Sequence, residues 1–275
     1  MTDTILLVFA FAAGSCIGSF LNVCVARWPA ELSVVSPRSR CPKCGHEIAW
    51  YENVPLLSWL ALRARCRGCK APISIVYPAV ELLVALGWIA AVWYFGFSFT
   101  ALRVAVFGTV LLGIMLTDAL HYIIPDGFTA FGLGWALLAA ALSLFVGETL
   151  PFAGLYDAVI GACVGAGAIA IVGWLGEMAF KKEAMGFGDV TLMAMVGAHL
   201  GPSRTLLTIF LGALVGAVTF LVIVLPVGAL RSRRRSVPFE PPLVPFGVFL
   251  APAAMLALLW GQSLIDWYLH GVMGL

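Results

Sequence analysis

Five stretches of this chain contain no charged residue and are close to or above the length of a membrane helix: 5–26, 82–102, 127–147, 158–176 and 205–230. A helix needs about 20 predominantly apolar residues to cross the hydrocarbon core of a bilayer. Charged residues make up only 11% of the chain, whereas a soluble domain has about 25%. The sequence therefore predicts an all-α polytopic membrane protein. Its net charge of +2 argues against a general attraction for nucleic acid, so no nucleic-acid partner is expected.

The apolar pattern predicts about eight transmembrane helices, and the sixth of them is short. The first apolar run is read as a membrane helix, because its 22 uncharged residues exceed the ~7–15 of a signal-peptide core. The predicted helices lie near 5–26, 79–97, 101–120, 127–147, 155–176, 190–201, 205–229 and 245–268.

The basic residues indicate how these helices are oriented. If the N-terminus lies outside, the loops 27–78, 121–126, 177–189 and 230–244 face the cytoplasm. Only Arg103 and Arg204 then lie on the outer side, which is the bias expected from the positive-inside rule. Without the short sixth helix, the basic cluster 231–235 would fall on the wrong side. The inner loops hold Arg27, Arg38, Arg40, Lys43, Arg63, Arg65, Arg67, Lys70, Lys181, Lys182, Arg231, Arg233, Arg234 and Arg235.

One inner loop is long enough to form a structure of its own. Residues 28–78 are rich in charges and have only scattered apolar positions, so we expect a small cytoplasmic module, called here the cysteine module. The predicted division of the chain is a first transmembrane helix over 1–27, the cysteine module over 28–78 and a seven-helix membrane domain over 79–275.

The cysteine module contains two Cys-x-x-Cys motifs, formed by Cys41 with Cys44 and by Cys66 with Cys69. Two such knuckles supply four sulfurs, which is the ligand set of a tetrahedral structural Zn²⁺ site. The cytosol is reducing, so stable disulfides are not expected there, and a module of about fifty residues gains from a metal. A redox dithiol pair and unliganded packing cysteines are the alternatives. Cys16, Cys24 and Cys163 lie in apolar helices and are expected in the core.

Two aspartates lie at the predicted cytoplasmic ends of membrane helices. Asp118 follows the apolar run of the third helix and Asp189 opens the sixth. Charged groups in membrane segments are costly, so each is a functional candidate. Two carboxylates brought together at low dielectric tend to share one proton, and that state offers both a base and an acid. A helix cap at Asp189 and a solvated helix end at Asp118 are the alternatives from spacing alone.

The residues around these aspartates add to the pattern. Gly186 and Gly188 flank a phenylalanine before Asp189, which would let backbone approach closely and leave room for an extended substrate. Asp126 follows Pro125 and is expected to be a turn or cap residue.

Taken in order, the motifs resemble those of the type IV prepilin peptidases, bifunctional enzymes of the GxGD aspartic protease class. Where many relatives carry a lysine two residues after the second aspartate, this chain has Thr191. The resemblance runs through Gly18-Ser-Phe-Leu-Asn22, the two cysteine motifs, Asn53-Val-Pro-Leu-Leu-Ser-Trp-Leu60, Tyr77-Pro-Ala-Val-Glu81, the Asp118 segment, Gly186-Phe-Gly-Asp189 and Pro245-Phe-Gly247.

This resemblance implies a function and its partners. Asp118 and Asp189 would be the catalytic pair that removes a basic leader from pilin-like precursors, after a glycine and usually before a phenylalanine. S-adenosylmethionine would then methylate the new amine, at a site that the sequence does not reveal. Glu81 could hold that amine or the leader's charge, or serve only as a first-turn acid of its helix. The implied location is the bacterial inner membrane, with the active site facing the cytoplasm and with pilus or type II secretion assembly components as partners.

Two other classes of protein remain open from the residues. A proton-coupled transporter would use intramembrane carboxylates and a broken helix, although no inverted repeat is detected and both aspartates lie at one face. A non-enzymatic assembly scaffold would use the module only to bind a partner. Cleavage of a precursor by the purified protein separates the enzyme from both.

Overall fold

A computed structural model describes residues 2–147, 150–182, 185–229 and 244–274. Within this described part of the chain all regular secondary structure is helical, and no strand is present apart from two isolated bridges in the cysteine module. The chain divides into two compact units, an N-terminal unit Met1–Gly113 and a C-terminal unit Ile114–Leu275. The division falls inside one long helix. The predicted boundaries at 27 and 78, which follow from the change in charge and hydropathy along the sequence, stay a prediction.

The N-terminal unit is built on two long helices joined by the cysteine module. Helix α1 is Thr2–Arg27, followed by a short 3₁₀ turn Trp28–Ala30. The module contains a second 3₁₀ turn, Trp50–Glu52, and the short helix α2, Leu57–Ala61. Helix α3 is Val76–Phe95, and α4, Phe99–His121, begins in this unit and ends in the next.

Small residues bring α1 against α3. A β-carbon on Gly14 would lie 2.8 Å from Ala85 Cα, and one on Gly18 would lie 2.7 Å from Glu81 Cα, so no larger residue fits. Apolar surface gains little from helix contact inside a membrane, and small residues are what allows close backbone approach there. The Asn22 side chain donates a hydrogen bond to the Tyr77 carbonyl at 3.0 Å and fixes the start of α3. The Gly18 to Asn22 motif is therefore a packing surface for α3.

The C-terminal unit contains the remaining helices: α5 Asp126–Val146, α6 Leu155–Phe180, α7 Phe187–Leu200, α8 Pro202–Thr219 and α9 Gly247–Asp266. Helix α8 continues through a π-helical turn Phe220–Val224, and α9 through another, Trp267–Val272. Helix α7 contacts α5, α6, α8 and α9, and all of its residues 192–200 except Ala194 are buried.

Seven of the described helices are long and apolar enough to cross a membrane, which confirms the predicted multi-pass helical fold. The remaining predicted helix, the short sixth one, is α7, whose fourteen residues rise only about 21 Å and fall short of the ~30 Å hydrocarbon core. Its burial among four other helices explains how so short an apolar helix is accommodated. The predicted inner loop 230–244, with its basic cluster, lies outside the described residues except for residue 244.

The expectation that three isolated cysteines lie in the core is only partly met. Cys24 is buried, as predicted, but Cys16 and Cys163 are exposed on the surfaces of α1 and α6. The prediction for these two cysteines is wrong because an apolar membrane helix has a second solvent, the lipid, and apolar residues face it as readily as the interior.

Candidate active site and metal centre

Asp118 lies one turn before the end of α4 and is buried, with 5% of its surface exposed. Its Oδ2 accepts a hydrogen bond from the backbone N–H of Val248, at 3.2 Å, at the start of α9. The alternative that Asp118 is a solvated helix end does not agree with this burial. Tyr122 adopts a left-handed conformation with φ +56° and ends the helix, while its N–H still bonds the Asp118 carbonyl at 2.9 Å.

Asp189 lies in the first turn of α7, where Gly186 is the residue that caps the helix. The Asp189 carboxylate lies near Gly186, with Oδ2 3.8 Å from a β-carbon built there, and the Asp189 N–H donates to the Gly186 carbonyl at 3.1 Å. Asp189 is half-buried. It is therefore not the N-cap residue itself, although a carboxylate at this third position also satisfies the free N–H groups of the helix end.

The structure brings the two aspartates together in the C-terminal unit, close enough for the charge of one to act on the other. Ile124 lies between the segments that carry them. A β-carbon on Gly188 would lie 2.9 Å from the Ile124 Cβ, and one on Gly247 would lie 3.2 Å from its Cδ1 and 2.9 Å from Asp118 Oδ2. Two glycines thus allow the starts of α7 and α9 to close around Ile124 and place both carboxylates at one site.

The other residues that the sequence placed near the two aspartates are Gly186, Asp126 and Thr191, and each has a different environment. Gly186 is exposed, and the atom nearest to a β-carbon built on it is Asp189 Oδ2, at 3.8 Å, so space remains beside the carboxylate. Asp126 is the first residue of α5, where an acidic side chain is favoured by the helix dipole. Thr191 donates a hydrogen bond to the Gly188 carbonyl at 3.0 Å, so its hydroxyl is satisfied within its own helix.

The four predicted metal-ligating cysteines form one cluster in the N-terminal unit, with all four sulfurs within 4.8 Å of one another. The Cys41 and Cys69 sulfurs are 3.8 Å apart and the Cys44 and Cys66 sulfurs 3.9 Å apart. Tetrahedral zinc with Zn–S bonds of about 2.3 Å requires sulfurs about 3.8 Å apart. The donor set and its spacing are therefore compatible with zinc.

Each cysteine pair sits on a tight knuckle of the same form. The Cys41 N–H bonds the His46 carbonyl at 2.9 Å, and the Cys66 N–H bonds the Ala71 carbonyl at 2.8 Å. The backbone N–H groups of Cys44 and Lys43 lower the pKa of the Cys41 thiol to about 6. The pKa of Cys44 is raised to about 11, because the hydrogen bond from the His46 backbone is outweighed by the neighbouring cysteine sulfurs and by burial. Without a metal, therefore, the clustered thiols do not all ionise together, and metal binding must release protons.

A polar cluster next to the knuckles was not anticipated from the sequence. The Glu52 side chain is only 5% exposed and contacts His46 at 3.0 Å and Arg67 at 3.1 Å. The hydrogen bonds from His46, the Ala49 N–H and Arg67 hold the pKa of Glu52 below its usual range. His46 and Arg67 lie on different knuckles, so Glu52 joins the two halves of the module.

Glu81 has a different place from the one that the sequence suggested. Helix α3 begins at Val76, so Glu81 lies in its second turn, and the first turn contains no acidic residue. The side chain is buried, with 9% of the residue exposed, and its Oε2 accepts a hydrogen bond from the Leu56 N–H at 2.8 Å. It therefore contacts the cysteine module rather than the end of its own helix.

The fold and the site define an all-helical, multi-pass membrane enzyme with a carboxylate pair in one unit and a four-cysteine module in the other. Two family models match the chain: the bacterial peptidase A24 N-terminal domain over residues 12–95 and the type IV leader peptidase family over residues 105–221. The chain belongs to the type IV leader peptidase family.

Curated relatives agree over most of the chain. A prepilin leader peptidase/N-methyltransferase of Myxococcus xanthus is 42% identical over 85% of this chain and 68% of its own length. Proteins of the same name from Stutzerimonas stutzeri and Pseudomonas aeruginosa are 38% and 39% identical, over 95% and 94% of this chain and 93% and 91% of their own lengths. No solved structure matches the chain. These relatives give no support to a transporter or a non-enzymatic scaffold.

Proposed function

We propose that this chain removes the basic leader of type IV pilin-like precursors with Asp118 and Asp189 and then methylates the new N-terminus. The observation that carries the proposal is that the two carboxylates lie within range of each other's charge, in the unit that contains most of the match to the type IV leader peptidase model. The relatives named for both activities cover nearly the whole chain, including the cysteine module. Membrane embedding fits a precursor whose apolar helix lies in the bilayer.

The chemistry of cleavage follows from the carboxylate pair. One aspartate takes a proton from water while the oxygen attacks the carbonyl carbon of the scissile peptide bond. The other donates a proton to the leaving nitrogen as that bond breaks. The two roles belong to the pair, because interacting carboxylates titrate jointly. The Val248 N–H holds the Asp118 carboxylate in one orientation, and open space beside Gly186 leaves room for an extended peptide.

The cysteine module is the proposed structural zinc site, with Cys41, Cys44, Cys66 and Cys69 as ligands. When bound there, Zn²⁺ supplies folding free energy to a segment with little apolar core. The methyl donor in the second reaction is S-adenosylmethionine, which gives its methyl group to an amine.

The active site is proposed to face the cytoplasm in a bacterial inner membrane. Support comes from the basic residues, which concentrate in the loops on the same side as Asp118 and Asp189. Single cysteines at residues 36, 184 and 234 of a cysteine-free variant should react with a membrane-impermeant reagent only after permeabilisation. Cysteines at 98 and 203 should react without it. External labelling at 36 would contradict the orientation; residues 184 and 234 lie outside the described part of the chain.

The decisive experiment incubates the purified protein with a model prepilin and measures the mass of the product. Loss of the leader, followed by a gain of one methyl group with S-adenosylmethionine, is the expected result. Asp118→Asn and Asp189→Asn should each nearly abolish cleavage, and the double variant should be little worse, since members of one catalytic unit are non-additive. Asp126→Asn is the matched control, because Asp126 only begins α5. Full cleavage by either single variant would remove that residue from the mechanism.

A further inference from the structure

The short helix α2 of the cysteine module has an apolar face that no other described part of the chain covers. Leu57 and Leu60 are about one turn apart on this face and are 66% and 64% exposed. Ser58, on the opposite side, is buried, and its hydroxyl donates to the Tyr51 carbonyl at 3.1 Å. The helix therefore has an inner side that packs on the module and an outer side made of two leucines.

Hydrogen bonds tie α2 to the beginning of the membrane helix α3. Leu56, the residue before α2, donates its N–H to Glu81 Oε2 at 2.8 Å, and Glu81 lies in the second turn of α3. Within α2 itself, the Trp59 indole N–H donates to the Ile73 carbonyl at 3.3 Å, just before α3 begins. The height of α2 relative to the bilayer is therefore set by the first two turns of α3.

Helix α3 is only just long enough to cross the bilayer. Its 20 residues rise about 30 Å, which equals the thickness of the hydrocarbon core. Trp93 and Tyr94 are exposed at its far end, as aromatic residues typically are at a membrane–water interface. Glu81 precedes the last residue, Phe95, by fourteen positions, a rise of about 21 Å. Glu81 therefore lies at the level of the inner leaflet, and α2 lies beside it at the inner boundary of the core.

Helix α1 gives the same height and shows which part of the module is farther from the bilayer. Gly18 is level with Glu81, since a β-carbon on it would lie 2.7 Å from Glu81 Cα. Arg27 lies nine residues farther along α1, a rise of about 13.5 Å, and its guanidinium donates to two carbonyls of segment 33–37. Val35 in that segment is 88% exposed. It is an exposed apolar residue of the same module, but beyond the bilayer surface.

We propose that α2 is an interfacial helix whose Leu57 and Leu60 side chains contact the lipid acyl chains of the inner leaflet. Interfacial amphipathic helices bury their apolar face about 5–10 Å into the boundary between headgroups and acyl chains. The membrane thereby holds the module at a third point, in addition to α1 and α3.

The charges that follow α2 agree with this location. The chain leaves the helix through Arg63 and Ala64, both in the left-handed conformation, and continues to Arg65. Arg63 and Arg65 are exposed and form no ion pair with any residue that the structure describes. Guanidinium groups bind phosphate well, and their long stems lie along apolar surface while the charge stays in water. The two arginines therefore suit the phosphate groups of phospholipids beside an inserted α2.

The test uses the wild-type, full-length protein in phosphatidylcholine nanodiscs that contain a phospholipid with a diazirine in its acyl chain. Irradiation releases nitrogen, and the resulting carbene inserts into nearby C–H bonds, which tandem mass spectrometry locates. We expect label on Leu57 or Leu60 at a yield comparable with that on Leu83, which is exposed on α3. Val35, although more exposed, should remain unlabelled.

A water-soluble diazirine reagent, used in parallel, distinguishes the other ways in which the face could be occupied. Label on Leu57 and Leu60 from this reagent alone would show a face that is open to water or to a soluble partner, and would overturn the proposal. Protection from both reagents would show that another protein segment covers the face, and would overturn it equally. Neither measurement requires a variant or enzymatic activity, so failure of the proposed function would leave the result unchanged.

A pair of variants tests the same contact by its effect on α2. Leu57→Asn combined with Leu60→Asn should speed hydrogen exchange of the α2 amides in nanodiscs, because the polar side chains weaken insertion. Val35→Asn, the matched control, should leave α2 exchange unchanged. In detergent-free nanodiscs, equal α2 exchange in the wild type and the double variant would contradict the membrane contact.

Discussion

Gly247 lies so close to Asp118 that a β-carbon on it would stand 2.9 Å from the carboxylate oxygen Oδ2. The same carboxylate oxygen accepts the Val248 N–H, so the start of α9 both touches Asp118 and orients it. Any side chain at Gly247 must displace either the helix start or the carboxylate. The Pro245-Phe-Gly247 segment is thus a support for the proposed proteolytic residue.

We therefore expect Gly247→Ala to lower the rate of leader cleavage by about 10²-fold, the loss associated with a misplacement of about 1 Å at a reacting group. Gly134→Ala on α5 is the matched control, since a β-carbon there meets no atom within 4 Å. The rates are compared by mass spectrometry of a model prepilin. Wild-type cleavage by Gly247→Ala would show that Asp118 does not need this close contact.

Helices α6 and α7 meet backbone to backbone at Gly161 and Gly197. A β-carbon on either glycine would overlap the carbonyl oxygen of the other, and one on Gly165 would overlap the Met193 carbonyl. Gly161→Ala should therefore destabilise the protein by about 1–3 kcal/mol, the usual cost of overpacking. Gly167→Ala, on the same helix but facing open space, should not destabilise it. Thermal unfolding in detergent measures both, and equal melting temperatures would contradict the close helix contact.

The helices could be predicted because a membrane segment is decided locally, by about 20 consecutive apolar residues. The four cysteines could also be grouped from sequence, because two short motifs of known ligand spacing have few other uses. The hydrogen bond from Val248 to Asp118 could not be predicted from the sequence, because the two residues are 130 positions apart and their contact depends on how α4 and α9 pack. Glu52 was missed for a similar reason, because its partners lie on two different knuckles.

The cysteine cluster predicts the metal content of the protein. Purified protein should contain about one Zn²⁺ per chain, as expected for a closed site of four thiolates. Cys66→Ser should lower the zinc content and make residues 28–78 sensitive to protease. Cys163→Ser, which changes an exposed cysteine on α6, should do neither. Normal zinc in a Cys41→Ser, Cys66→Ser double variant would rule out the cluster as the metal site.

Glu52 predicts how the stability of the module depends on pH. Its pKa is lowered in the folded state, first by His46 and then by the Ala49 N–H and Arg67, so folding favours the ionised form. This contribution is fully present above the unfolded pKa of about 4.3 and is lost as pH falls through the folded pKa. Wild type should therefore melt at a higher temperature than Glu52→Gln at pH 7, and the difference should shrink toward pH 3. A pH-independent difference would mean that Glu52 acts through shape alone.

The two reactions should separate in variants, because they require different groups. Proteolysis needs water between two carboxylates in the C-terminal unit, whereas methyl transfer needs a neutral amine in line with a sulfonium methyl. Asp189→Asn should therefore still methylate a pre-cleaved peptide that begins with phenylalanine. A Cys41→Ser, Cys44→Ser variant should lose more methylation than cleavage, since the aspartates lie on membrane helices outside the cysteine module.

Both variants are assayed with labelled S-adenosylmethionine and the mature peptide, and cleavage is measured in parallel on the intact precursor. Zinc content identifies which cysteine variants have lost the module. If Asp189→Asn loses methylation while the cysteine variant keeps it, methyl transfer takes place at the aspartate pair and the module serves another purpose. Retention of both activities in the cysteine variant, with its zinc gone, would remove the module from both reactions.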